Sequence, residues 1–171
     1  MFKLNILILF IFLSLLSSCS KEPVNKSIIK EKSLELQVQE AYEEAMKAFN
    51  DGDVLYAAKK FNEAEMLFPQ AVSAPQSALM AAYSYYTQDY YGDAIAELNR
   101  FLKVYPTHKD LGYVYYLLAI CYYEQIVDEK KDLQSIVNAK KNFNIILKNY
   151  PNTEYAIDAE FKIDLIDDIL A

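Results

Sequence analysis

Three apolar stretches of the chain end alike, each running into a proline: Leu67-Phe68-Pro69, Val104-Tyr105-Pro106 and Asn149-Tyr150-Pro151. Reading back from each proline gives a small residue twelve positions earlier (Ala57, Ala94, Ala139) and a large apolar one eight earlier (Phe61, Leu98, Phe143). Five positions before the prolines stand Ala64, Phe101 and Ile146. Steps of four and three put such residues on one face of a helix, so each proline closes a helix with one buried side. Thirteen residues beyond two of the prolines come Ala82 and Ala119, followed three further on by Tyr85 and Tyr122. These predict a preceding partner helix, in which the small residue lets two helices approach and the aromatic fills the gap beside it. The first unit is weaker, with Ala45 and Ala48 at those places, but Asn50-Asp51-Gly52-Asp53 is a good helix stop and restart.

The first two prolines are 37 residues apart and the next two 45, so the third unit carries eight extra residues, which we place in the polar stretch Asp128 to Ser135. A last amphipathic helix, Thr153 to about Ala171, opens a fourth unit and is expected to act as a cap with a polar outer face. Helix pairs at this period, with small, large apolar and proline positions in this order, are those of a tetratricopeptide repeat. One pair cannot bury its apolar faces alone; stacking three or so makes a continuous core. The expected fold is therefore all-α, a tetratricopeptide α-solenoid in which antiparallel helix pairs wind into a right-handed superhelix with a concave groove.

Ahead of the repeats, Lys3 precedes an apolar run from Leu4 to Leu16 that is broken only by Asn5 and Ser14 and ends at Ser17-Ser18. That run is short for a bilayer span of about 20 apolar residues and reads as a secretory signal. Leu16-Ser17-Ser18-Cys19 resembles the bacterial lipobox, in which the signal is cut before a cysteine that then carries acyl chains such as palmitate. Each buried methylene contributes about 0.8 kcal/mol, so more than one chain gives stable anchoring. We divide the chain into a lipoprotein signal peptide (1–18), a flexible tether bearing lipidated Cys19 (19–33) and a repeat domain (34–171). Ser20 follows the cysteine, where Asp commonly marks inner-membrane retention in enterobacteria. By that resemblance the anchor is expected in the outer membrane, on the periplasmic face.

Composition narrows the chemistry. A length of 171 residues suits one domain with an appendage, and three Gly, five Pro and no Trp favour helices over a turn-rich β fold. A net charge of −7 with Arg100 as the single arginine argues against nucleic acid. That acidity adds little attraction to any one peptide, so only weak salt dependence is expected for a bound peptide. His108 is the only histidine, which leaves no histidine-based metal cluster or triad, and we read it as a turn or capping residue. Carboxylate pairs such as Glu43-Glu44 and Asp167-Asp168 read as solvated helix faces, Lys60 and Lys148 as solvated lysines, and Cys121 as a buried inert thiol. No phosphate loop, nucleophile elbow or CxxC is found, so no catalytic residue, metal or cofactor is expected.

The aromatics point to binding. By repeat position, Tyr42, Met46 and Phe49 in the first unit, Tyr83 and Tyr86 in the second, and Tyr113, Tyr116 and Tyr123 in the third fall on the first-helix face that lines the groove. Some of them could simply pack on a neighbouring repeat; as a group they read as a recognition surface for a peptide or client protein.

From about Ala41 to Ala171 the chain resembles the BamD (YfiO) family of tetratricopeptide lipoproteins in the β-barrel assembly machinery. The resemblance rests on the lipobox at Cys19, on Tyr105-Pro106-Thr107-His108 with Tyr113-Val114 behind it, and on Tyr150-Pro151-Asn152-Thr153-Glu154-Tyr155-Ala156. The polar stretch ending near Asp132 resembles the family's insertion in its third repeat. Membership implies a scaffold and receptor in the BAM complex that helps β-barrel proteins insert and fold in the outer membrane. The implied partners are a BamA-like barrel protein, other BAM subunits and unfolded outer-membrane protein segments. The family's C-terminal repeats dock BamA, and this sequence reaches only a fourth unit, so docking would use residues beyond those given or the repeats present. An alternative is a periplasmic tetratricopeptide lipoprotein adaptor of another envelope pathway, such as cell division or peptidoglycan synthesis. Acylation is directly testable: an alkyne fatty acid fed to cells should label the wild-type chain and leave Cys19→Ser unlabelled, whereas equal labelling would place the lipid elsewhere.

Overall fold

A computed structural model describes residues 32–126 and 133–171. The signal segment, Cys19, the tether up to residue 31 and the insertion as far as Asp132 lie outside the described residues. Among the described residues seven helices follow one another: α1 Leu34–Asn50, α2 Val54–Leu67, α3 Ala74–Tyr86, α4 Tyr91–Val104, α5 Leu111–Glu124, α6 Leu133–Asn149 and α7 Glu154–Leu170. No strand occurs among the described residues. Each helix packs on the next in sequence, and α5 also touches α7, which gives three stacked antiparallel pairs followed by a further first helix.

Local chemistry sets the helix ends. The Ser33 hydroxyl accepts from Leu36 N–H and the Asp53 carboxylate from Tyr56 N–H, capping α1 and α2. Between them Gly52 takes φ +84°, with Gly52 N–H donating to Phe49 C=O and Asp53 N–H to Ala48 C=O, the paired bonds of a Schellman turn. The turn from α3 to α4 repeats those bonds, Asp89 N–H to Tyr86 C=O and Tyr90 N–H to Tyr85 C=O, but the left-handed residue is Asp89 at φ +61°. His108 sits in the turn before α5, where its Nδ1 accepts from Asp110 N–H at 3.3 Å and its ring meets Phe101 edge-on at 5.6 Å.

The repeat register holds throughout. Ala57, Phe61, Ala94, Leu98, Phe101, Ala139, Phe143 and Ile146 are wholly buried, Ala64 nearly so, and Ala82 and Ala119 are both 0% exposed. The two aromatics that follow are half-buried rather than enclosed, and they bridge successive cores. Tyr85 packs on the cores of the first and second units, and Tyr122 on those of the second and third. Their fully buried neighbours are the compact Ser84, which donates to Met80 C=O at 2.8 Å, and Cys121, whose thiol burial pushes up to about 12. Such a thiol is inert, as its helix suggested.

Three expectations change. α6 begins 18 residues before Pro151, whereas α2 and α4 begin 15 before Pro69 and Pro106, so part of the third unit's extra length is an added helical turn that takes in Leu133 to Ser135. Lys60 is not a free solvated lysine: its ammonium pairs with Glu44 and Glu63, each at 3.0 Å, and lies over the Tyr56 ring. The outer side of α7 is not wholly polar, since Ile157 and Phe161 are 75% and 61% exposed.

One polar network crosses between pairs. Glu65 of α2, only 5% exposed in its side chain, takes a two-pronged contact from Arg100 of α4 at 2.5 and 2.9 Å, and a third bond from the Tyr105 hydroxyl at 2.6 Å. Arg100 also binds Glu97 at 2.8 Å, and Asn62 bridges to Glu97 at 3.0 Å. The bond to Glu65 holds the guanidinium above its already high value, and burial followed by the bond to Glu65 raises the Tyr105 phenol. Both groups stay protonated donors to a carboxylate that would otherwise be stranded.

Two stability measurements test this packing. Ala82→Leu or Ala119→Leu should each cost about 1 to 3 kcal/mol by overpacking a helix crossing, whereas Lys148→Leu on an exposed face should cost under about 0.5 kcal/mol; equal melting shifts would refute the register. Arg100→Ala should cost about 2 to 4 kcal/mol, below the upper range for a wholly enclosed pair because its side chain is 38% exposed. Exchanging Glu65 and Arg100 together for Leu and Met should recover most of that loss in urea unfolding. No recovery would mean that the network stabilises by more than mutual neutralisation.

Candidate functional site

The first helices of the pairs, α1, α3, α5 and α7, bring a row of aromatic rings together. Phe49 lies 5.9 Å from Tyr83, Tyr83 6.0 Å from Tyr86, and Tyr86 6.2 Å from Tyr91 at the start of α4. Farther along, Tyr155 of α7 stands 5.6 Å from Tyr113 and 5.1 Å from Tyr116 of α5. Both groups rest on the second unit's core, against which Tyr83, Tyr86, Tyr91 and Tyr113 all pack, and burial there is the first cause that raises the Tyr113 hydroxyl. These tilted, offset contacts are the favoured geometry for aromatic pairs.

The rings are half-buried and rest against the repeat cores. Two hydroxyls are engaged: Tyr91 donates to Asp89 at 2.7 Å and Tyr116 to Asp158 at 2.8 Å. Among the described residues the hydroxyls of Tyr83, Tyr86, Tyr113 and Tyr155 have no protein partner, and none is a sealed, unsatisfied group. The site thus offers apolar ring faces interleaved with open donors and acceptors. Burial is the first cause of the upward shifts of Tyr86, Tyr113 and Tyr116, while for Tyr91 it is the bond to Asp89. All four are neutral near pH 7.

Of the residues singled out from the sequence, Phe49, Tyr83, Tyr86, Tyr113 and Tyr116 enter this row. Tyr123 turns between α6 and α7, edge-on to Phe143 at 6.4 Å with the Lys162 ammonium 4.6 Å from its ring centre. Met46 packs on the first unit's core. Tyr42 meets Phe61 edge-on at 5.2 Å and lines a separate cavity of about 620 Å³ beside Val38, Phe68, Ala71 and Val72. Sequence reading missed Tyr91, Tyr155, Asp89 and Asp158. Tyr155 stood in the quoted Tyr-Pro motif, but α7 starts three residues after its proline where α3 and α5 start five after theirs, so shared offsets do not find it.

Stacked antiparallel helix pairs in this order define a tetratricopeptide-type scaffold. Solved structures share this fold. The first TPR of Spaghetti (RPAP3), bound to the HSP90 peptide SRMEEVD, matches with a TM-score of 0.58 at 17% identity, over 79% of this chain and 94% of that one. The Hsp90 co-chaperone Cns1 from Saccharomyces cerevisiae matches with a TM-score of 0.64 at 13% identity, over 82% and 42%.

Residues 34–171 match the YfiO family, described as outer membrane lipoprotein, and the chain belongs to it. Outer membrane protein assembly factor BamD from Caulobacter vibrioides is 40% identical over 115 residues, 67% of this chain and 38% of that protein. BamD from Rickettsia prowazekii is 37% identical over 130 residues, 72% and 52%. BamD from Vibrio cholerae is 27% identical over 169 residues, 93% and 67%. The chain therefore spans roughly four-tenths to two-thirds of the length of these relatives.

Proposed function

We propose that this chain is a lipid-anchored scaffold of outer-membrane protein assembly, whose aromatic row receives unfolded barrel-protein segments. Its relatives are named as assembly factors, and the observation that carries the receptor reading is the ring row from Phe49 to Tyr155. A barrel strand alternates apolar and polar residues and carries aromatic girdles, so it arrives with side chains suited to ring faces and with unpaired backbone groups. Tyr83, Tyr86, Tyr113 and Tyr155 can meet both, through rings and through open hydroxyls. Contacts of this kind tolerate many sequences at modest affinity, which is what a receptor for a family of clients requires. The anchor would be Cys19 in the outer membrane, facing the periplasm, and the assembly partners a BamA-like barrel protein and other BAM subunits. No step of this reading asks the chain to perform catalysis.

Crosslinking in outer membranes followed by mass spectrometry should recover BAM subunits; recovery of division or peptidoglycan-synthesis proteins instead would move the chain to another pathway. For the row itself, Tyr83→Ala with Tyr86→Ala should weaken a barrel-strand peptide, read by fluorescence anisotropy, by at least about 1 kcal/mol, roughly fivefold. Both rings also rest on the core, so circular dichroism must show the variant folded. Replacing both by Phe keeps the packing and removes only the hydroxyls; a smaller loss is expected. Unchanged affinity in both folded variants would remove the row as the receptor surface.

A further inference from the structure

The row is not electrically neutral. Asp89 accepts the Tyr91 hydroxyl and Asp158 the Tyr116 hydroxyl, and each keeps a second oxygen for another partner. Glu124, the last residue of α5, is exposed and stands eleven positions after Tyr113, about three helical turns on, so it shares that ring's face of the helix. It forms no ion pair among the described residues. Lys162 lies over the Tyr123 ring, which is not part of the row, and Arg100 is held in its own network with Glu65 and Glu97. Part of the chain's acidity, from which the sequence predicts only weak salt dependence, is here set beside the rings.

Asp89 has a further peculiarity. It occupies the left-handed position that Gly52 fills in the equivalent turn of the first unit, at φ +61° against +84°. Glycine takes that conformation without steric penalty, and Asp does so less easily. The turn's backbone bonds are the same with either residue, so the turn itself does not require a carboxylate.

Resting on the receptor reading above, we propose that the row selects cationic segments: extended stretches whose alternate side chains are aromatic or branched apolar and whose polar positions carry Lys or Arg, met by Asp89, Glu124 and Asp158. Apolar side chains lie on the ring faces of Tyr83, Tyr86 and Tyr113. The alternate positions then project to the edge of the row, where cations find carboxylates and anions find repulsion. Segments with acidic polar positions, or a free terminal carboxylate laid along the row, are disfavoured.

The test uses three blocked peptides of about ten residues, a barrel strand's length, identical in their Tyr, Val and Leu positions and carrying Lys, Gln or Glu at the alternate ones. At low ionic strength the Lys peptide should bind at least about tenfold tighter than the Glu peptide, the scale of a few solvent-exposed charge contacts. The ratio should fall towards one at about 1 M salt, where screening reaches about 3 Å. In the chain carrying Asp89→Gly, Glu124→Gln and Asp158→Asn, the low-salt ratio should drop to about threefold or less. Asp89→Gly alone should fold at least as stably as the wild type while lowering the ratio, which separates charge from folding. A wild-type ratio near one, or an undiminished ratio in the folded triple variant, overturns the proposal. If the Gln peptide binds and depends on Tyr83 and Tyr86 while charge makes no difference, only the cationic selectivity fails. If no peptide binds, the receptor reading fails and takes this one with it.

Discussion

Close approach of helices at small residues governs this fold. Helices with ordinary side chains at their contact run about 8 to 10 Å apart, and the lower end of that range needs a residue with almost nothing beyond its backbone. Ala45, Ala57, Ala82, Ala94, Ala119, Ala139 and Ala159 are all wholly buried in the helix pairs and between them. The volume that these crossings leave open on either side is filled by single large residues, Phe61, Leu98, Phe101 and Phe143. The side of α5 shows how tight the contact becomes, since a Cβ placed on Gly112 would stand 3.2 Å from the Tyr150 ring. Each Tyr-Pro ending thus does two things: the proline stops the helix, and the tyrosine before it packs on a neighbouring element.

A crossing built from alanine has no room for a second layer of large side chains, so the bulky aromatics move to its margins. Tyr85 and Tyr122 bridge successive cores there, and the ring row forms along the first helices with half of each ring covered. The ring row is consequently a by-product of the same packing rule that makes the core, which holds its rings in place. Pre-set rings lose little freedom when a segment is laid on them, which would strengthen whatever contacts such a segment makes. On the second helices a different device operates. Glu65, Arg100, Glu97, Asn62 and Tyr105 satisfy one another across two units, an arrangement that adds little net stability over apolar packing.

Much of this was legible in the sequence because the repeat makes one helix's pattern check another's. The proline offsets located the buried positions, and Asn50-Asp51-Gly52-Asp53 located the first turn. What escaped was whatever depended on pairing distant positions or on the direction of a side chain. Glu65 and Arg100 are 35 residues apart, and no local pattern marks either as buried. Tyr42 and Phe49 share a face of α1, yet Tyr42 meets Phe61 while Phe49 meets Tyr83, because the neighbour differs at the two ends of the helix. Tyr123 shares the face of Tyr116 but has α6 and α7 closing on it. Lys60 looked like a solvated lysine because the glutamate opposite it, Glu44, lies on the preceding helix.

The engaged and open hydroxyls divide the row by task. Tyr91 and Tyr116 donate to carboxylates, so their rings are fixed and the carboxylates are oriented, which leaves the remaining oxygens directed by geometry rather than by chance rotation. Tyr83, Tyr86, Tyr113 and Tyr155 have no such partner among the described residues, and each can turn its proton to suit a donor or an acceptor. A client backbone presents both kinds of group in alternation, which a hydroxyl can match and a fixed cation or anion cannot. On the proposed receptor role, sequence tolerance belongs to the open tyrosines, and preference among clients comes from the groups that are not free to adapt, the carboxylates and the fixed rings beside them.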